Sequence, residues 1–272
     1  MHGAYAMKIH RAVIVLITIS ILLAGRSFSQ AERATSRLKK PLIYQIGNVV
    51  HINAEGPRPL MRALDALQEK YGWIVDYEDP QYPADSDLAT NSASLPSRRH
   101  ANVRNSGGEG FSVEFKNGPA PDSGPDENSV LTTVVNAYNE GSAVAQFELR
   151  RGKERDARFA VVGVGVRRQH NEESSSQPIL DLPISLKAER RTAAQTVVVI
   201  CERVSEQSKI TVTPVIADNS RGGRTVSVGG VDVPARTLLR RTLASAGDRL
   251  SWRLLYDASS KSYELNLAGR SQ

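Results

Sequence analysis

Five carboxylates crowd a stretch of twelve residues in this chain: Asp76, Glu78, Asp79, Asp85 and Asp87. Oxygen-rich clusters of this kind attract hard cations such as calcium. Their spacing is not that of an EF-hand, and no glycine stands at the centre to turn the chain. A solvated acidic loop is therefore the expectation, with a cation loop as the sharper alternative. The two tryptophans supply the other chemistry-bearing pattern, W-x-x-x-Y followed by an acid, as Trp73/Tyr77/Glu78 and Trp252/Tyr256/Asp257. Strand alternation puts each Trp and its Tyr on one face. Exposed, such a face could stack on sugar rings; buried, it fills a core, and core packing is the expectation. Trp73, Tyr77, Asp79, Asp85, Asp87, Trp252 and Tyr256 are accordingly the candidate ligand or partner contacts.

Other reactive residues form no constellation. His2, His10, His51, His100 and His170 show no H-x-x-x-H or H-E-x-x-H spacing, so zinc chemistry is not expected. There is no G-x-S-x-G elbow and no P-loop, and the glycine pairs suit turns. No catalytic residue, cofactor or metal ligand is assigned. Two acids alone suffice for a glycosidase, which keeps an envelope hydrolase or a carbohydrate-binding protein as the competing class. Cys201 is the sole cysteine, which excludes an internal disulfide; inside the apolar run VVVIC it reads as a buried, inert thiol.

Targeting and charge narrow the setting. Lys8, His10 and Arg11 precede the uncharged run Ala12 to Ala24, and small residues come after it at Ser27 and Ser29. This fits a secretory signal peptide over residues 1–29, the run being short of the roughly 20 residues a membrane span needs. An uncleaved N-terminal anchor is the alternative; with the leader removed, no membrane span is expected. Three of the 35 basic residues lie in that leader, so 32 face 29 acids in the remainder of the chain, a net of +3. Basic doublets such as Arg98-Arg99, Arg150-Arg151, Arg190-Arg191 and Arg240-Arg241 are spread evenly and read as solvated faces, so no nucleic-acid partner is expected.

The elements that must position these residues emerge from periodicity. Residues 30–40 are a polar arm. Residues 42–53, LIYQIGNVVHIN, suit two short strands or one strand bulged at Gly47. Leu60, Ala63, Leu64, Leu67 and Tyr71 recur at the helical period, Gly72 ends the helix, and WIVDY continues as a strand. Prolines, serines and glycines make loops of 80–110 and 117–128, with FSVEFK alternating as a strand between them. Ser129 is the expected cap of a helix bearing Val130, Leu131, Val134 and Val135. AVAQFELR and FAVVGVGV then suit a hairpin, and 167–178 reads as a linker. Beyond it come the strand 182–188, a helix capped by Thr192, the strand KITVTPV, the strand RTVSVGGVDV, the helix 235–246 broken at Gly247, and a final hairpin.

Each half thus contains two helix-then-strand units. The expected fold is α+β, two tandem small βαβ–βαβ modules over 41–166 and 179–269, with short helices packed on small mixed sheets. Residues 182–269 resemble an STN domain, the module at the N-termini of secretins and TonB-dependent receptors. The likeness rests on TAAQTVVVICERVSEQS, KITVTP and VSVGGVDVPARTLLRRTLASAGDRLSWRLL. Residues 48–79 and 111–166 resemble a second copy, interrupted by the polar insert 80–110. No barrel, plug or secretin ring comes before Gln272. The resemblance therefore implies an envelope-side binding role rather than transport. The expected function is that of an exported, non-enzymatic binding or adaptor protein meeting a protein partner in the envelope.

Overall fold

The computed structural model describes residues 42–82, 110–118, 124–141, 145–152, 158–167, 173–175, 177–216, 224–247 and 250–269. The expected leader, arm and most of the 80–110 insert, including Asp85 and Asp87, lie outside them. The residues from Pro41 onward form one compact unit.

Local chemistry sets the elements. Strands β1 (Leu42–Ile46) and β2 (Val49–Glu55) form a hairpin, with Gly47 at φ 61° in its two-residue turn. Helix α1 (Pro59–Tyr71) starts on a proline, whose fixed φ suits the first turn, and stops at Gly72, whose φ of 73° few side chains tolerate. Strand β3 (Val75–Glu78) comes next, then β4 (Gly110–Lys116), which pairs with β2. Helix α2 (Glu127–Gly141) leads into the hairpin β5 (Ala145–Arg151) and β6 (Phe159–Arg167). A short strand β7 (Glu173–Ser175) and a 3₁₀ turn (Ile179–Asp181) precede β8 (Pro183–Thr192). Helix α3 (Ala193–Ser208) carries a full capping box: the Thr192 hydroxyl accepts from the Gln195 N–H, and the Gln195 side chain accepts from the Thr192 N–H. Strands β9 (Val212–Val215) and β10 (Thr225–Pro234), helix α4 (Ala235–Ala246), and the hairpin β11 (Leu250–Asp257) and β12 (Ser262–Gly269) complete the chain.

The α+β class is as expected, and the halves share a sheet. Its order is β5-β6-β3-β11-β12-β9, with β7 also on β6; β3 runs parallel to both β6 and β11. Two smaller sheets, β1-β2-β4 and β8-β10, hold the remaining described strands. Two cores form, one per half. Val75 and Tyr77 of β3 enter the first, with α1, α2 and the inner side of β2 and β4. Trp252, Leu254 and Tyr256 of β11 enter the second, with α3, α4, β8 and β10. Because Tyr77 lies opposite Arg253, and Glu78 opposite Leu254, the two cores sit on opposite faces of the shared sheet. The central strands β3 and β11 are consequently buried on both faces.

Two expectations need correction. Within 167–178, expected as linker, Glu173–Ser175 pairs with Gly165–Arg167 as β7: backbone hydrogen bonding to a free sheet edge needs no apolar side chain. The cap of α2 is Asp126 rather than Ser129. Its carboxylate accepts from the Ser129 N–H at 2.8 Å, and the helix begins at Glu127. An acid three residues upstream satisfies the same orphan donor and complements the positive helix end.

The shared sheet leaves little room where the chain leaves β3. A Cβ on Gly163 of β6 would lie 2.3 Å from the Pro80 nitrogen, whereas one on Gly124 would meet nothing within 4 Å. Gly163→Ala is expected to lower unfolding stability by about 1–3 kcal/mol, and Gly124→Ala to change it by less than about 0.5 kcal/mol. Urea denaturation of both variants checks this contrast.

Candidate functional site

Asp76, Glu78, Asp79, Tyr77, Trp252 and Tyr256 converge where the two halves meet. Alternation along β3 sends Val75 and Tyr77 into the first core, so Asp76 and Glu78 must point to the opposite face, toward α4. Two residues along a strand span about 6.6 Å. Four residues along a helix span about 6 Å. Arg236 and Arg240, four apart on α4, therefore match the two carboxylates in spacing as well as in charge.

The pairs differ in quality. Glu78 is fully buried; one oxygen binds Arg236 Nη2 and the other accepts from the Leu180 N–H at 3.3 Å. Arg236 Nε also donates to Asp181 at 3.0 Å, and Asp181 in turn holds Arg150. Burial raises the Glu78 pKa, with Arg236 pulling the other way. Burial also opposes ionisation of Asp181, but Arg236 and Arg150 outweigh it and hold that carboxyl below its ordinary value. Asp76 is less well matched. Its Oδ1 accepts from the Trp252 N–H at 3.4 Å, and its Oδ2 stands 3.5 Å from Arg240 Nε without a hydrogen bond. Burial pushes its pKa up to about 6, against the attraction of Arg240, Arg158 and Arg253.

The exchange is reciprocal. Arg253 of β11 points to the first core's face and reaches α1. Its Nη2 donates to Asp65 at 2.7 Å and also to Gln68, while its Nη1 donates to the Val75 carbonyl at 2.6 Å. Each half thus sends charge from its central strand onto the other half's helix. Asp79 closes the end of the seam. It accepts from Arg58 Nε at 2.7 Å, from the Tyr77 hydroxyl at 2.7 Å, from the Tyr256 N–H at 3.0 Å and from the Tyr82 hydroxyl at 3.4 Å. Arg58 itself adopts φ 54° and donates to the Tyr256 carbonyl at 2.8 Å.

Among the candidate contacts, Tyr77, Asp79, Trp252 and Tyr256 are buried in or beside this seam. Trp73 stands apart, half-buried and stacked on Tyr71 at 4.8 Å. The two Trp–Tyr pairs enter separate cores and form no common surface. The acidic run expected as a solvated loop is, at Asp76, Glu78 and Asp79, interior. Arg240, expected on a solvated face, lies inward with its guanidinium carbon 5.8 Å from the Trp252 ring centre. Sequence reading missed Arg236, Arg253 and Arg58. Two signals were available: a lone Arg within the apolar strand LSWRLLYD, and an Arg pair four apart bordering the α4 apolar stripe.

Elsewhere the chemistry is similarly occupied. Burial pushes the Cys201 thiol up to about 12, which keeps it protonated and unreactive. A shallow cleft of about 340 Å³ is lined by Glu114, Lys116, Asp126, Ser129 and Thr133, but Glu114 holds His51 and Asp126 caps α2. Among the described residues no group of three His, Cys, Asp or Glu is placed to hold a metal ion. Among them, too, no helix is long and apolar enough to cross a membrane. No protein-family model matches the chain, nor does any curated protein or solved structure.

The seam can be tested in two ways. Removing Arg236 strands the buried Glu78 and leaves Asp181 with Arg150 alone, so Arg236→Met is expected to cost about 3–5 kcal/mol. The double variant Arg236→Met/Glu78→Leu should recover more than half of that, as measured by urea denaturation. Asp76, ordinarily near 3.8, binds its proton more tightly in the folded chain. Its stabilising contribution is therefore complete below about pH 4 and is lost as the pH rises through 6. At about 1.4 kcal/mol per unit this is on the order of 3 kcal/mol. Asp76→Asn should remove that slope from the stability profile between pH 4 and 6; an unchanged profile would contradict the assignment.

Proposed function

We propose that this chain is an exported, non-catalytic adaptor of the cell envelope, built of two STN-like halves, that meets a protein partner through its small sheets and their edges. The observation that carries this reading is the division of labour between interior and surface. The described acids that drew attention as chemistry, Asp76, Glu78 and Asp79, face arginines inside the fold. Large apolar side chains stand in solvent on three strands instead: Tyr44 and Ile46 on β1, Val215 on β9, and Val231 on β10. Ile46 and Val231 are 64% and 79% exposed. A partner that adds main-chain pairing or side-chain cover at such strands is the economical use of them.

Photo-crosslinking residues placed at Val215 and at Val231, in cells that make the full chain, test this reading. Adducts to one discrete envelope protein from either strand position, with none from Glu206 on the exposed side of α3, are the expected outcome. The same samples should contain a chain that begins after Ser29. Cytoplasmic retention of the leader, or adducts no different from those at Glu206, would overturn the proposal.

A further inference from the structure

Strand β1 ends the three-stranded sheet, with β2 on one side and no described strand on the other. Its five residues, Leu-Ile-Tyr-Gln-Ile, contain no charge, proline or glycine, and its register with β2 is unbroken from Leu42/Asn53 to Ile46/Val49. Unguarded strands of this kind are templates for pairing, and proteins ordinarily blunt them. Other described edges are blunted. Strand β4, at the opposite side of the same sheet, exposes Glu114 and Lys116. Strand β5 carries Glu148, Arg150 and Arg151; β9 is four residues long and contains Pro214. Strand β8 exposes Lys187, Glu189 and Arg190, and β10 is broken by two register shifts.

The outer face beside β1 is as distinctive as its edge. Tyr44 is 38% exposed and lies flat against His51, ring centres 4.7 Å apart. Ile46 stands beside the half-buried Val49. Across the sheet the register reads Tyr44, His51, Glu114 in one row and Ile46, Val49, Lys116 in the next. Aromatic and aliphatic groups thus lie at the free edge, and the charges lie two strands away.

We propose that β1 pairs antiparallel with β1 of a second copy of this chain, about a two-fold axis at Tyr44, to form a continuous six-stranded sheet. Self-complementarity selects this occupant. The segment is neutral, so pairing it with itself opposes no like charges. The axis brings Tyr44 beside Tyr44 of the other copy and leaves Glu114 and Lys116 at the two outer rims. An apolar centre with a charged rim is the arrangement of stable interfaces. The two-fold operation uses up both edges and closes the assembly at two chains, so the bare strand does not lead to fibres. Five residue pairs bury less than a standard interface, so the dimer is a weak one, with dissociation in the micromolar range on the order of 10–100 µM. This pairing does not rest on the partner-binding reading; it is read from the mass of the chain alone, and that reading from heterologous adducts at Val215 or Val231.

A charge exchange at the axis tests it. The chain as exported, examined by sedimentation equilibrium from about 1 to about 500 µM, should rise in mass from one copy toward two. Tyr44→Lys and Tyr44→Glu, each placing like charges in contact across the axis, should each remain at one copy. Their equimolar mixture should regain the dimer. Both variants lose the Tyr44–His51 stack alike, so each should still unfold cooperatively in urea with a similar midpoint, which separates lost pairing from lost folding. Tyr44→Cys gives an independent readout: with Cys201 buried, mild oxidation should join two copies through residue 44, and Glu206→Cys should not be joined. A parent chain that stays at one copy throughout overturns the proposal. So does a single variant that dimerises like the parent, a mixture that fails to recover, or oxidation of Glu206→Cys as readily as of Tyr44→Cys.

Discussion

A carboxylate carried into a protein interior must be met by a cation or by donors, because burial without either costs several kcal/mol. The centre of this fold turns on how that constraint is met at three neighbouring positions, two on one short strand and one just beyond it: by close partners at Glu78 and Asp79, and incompletely at Asp76. β3 is only four residues long and is covered on both faces. Its Val75 and Tyr77 commit it to the first core, which forces Asp76 and Glu78 onto the face where the second half packs. The arginines that answer them come from α4, and the arginine that β11 sends back is answered by α1. Across this seam, Asp76 and Glu78 of the first half and Arg253 of the second are met by charges of the other half, while Asp79 takes Arg58 from its own.

That dependence explains why two cores make one compact unit. The direct pairing of β3 with β11 spans only Arg253/Tyr77 and Leu254/Glu78, too little by itself to define an angle or a register between two halves. The flanking charges supply the definition. A slip of one residue would turn Asp76 and Glu78 into the apolar first core and Val75 and Tyr77 onto the arginines. Backbone bonds at the end of the seam add to this: the Asp79 N–H donates to the Leu254 carbonyl at 2.8 Å, and its carboxylate accepts from the Tyr256 N–H. Apolar residues of equal volume could hold the halves together as tightly, but they would not distinguish one register from its neighbours.

What the sequence made legible was local. The helix 235–246, the Thr192 cap, the turn at Gly72 and the closing hairpin each depend on residues within a turn or two, and their periodicity is visible in one segment. The pairing of Asp76 with Arg240, by contrast, joins residues that no local pattern relates. In WIVDYED the alternation of apolar and charged residues is that of a strand with one wet face, and a strand with a second, charged protein face produces the same pattern. The lone Arg253 within LSWRLLYD carried the missing information. A single cation between two buried apolar positions has no solvent face of its own to occupy, and it must therefore be met by acids from elsewhere in the chain.

Charge in this chain does two physically different jobs. In the seam it is paired and buried, where it fixes geometry; on β4, β5 and β8 it stands at strand margins, where it discourages further pairing. β1 has charge of neither kind. A strand that needed only to close its own sheet would gain solubility from a lysine or glutamate on its exposed side at almost no cost in stability. Its uncharged sequence, with an aromatic stack at mid-strand and an isoleucine largely in water, leaves this edge without the charge that guards the others. The seam therefore makes the halves one body with a fixed shape, and that fixed shape lets a five-residue edge present a defined surface to whatever it meets.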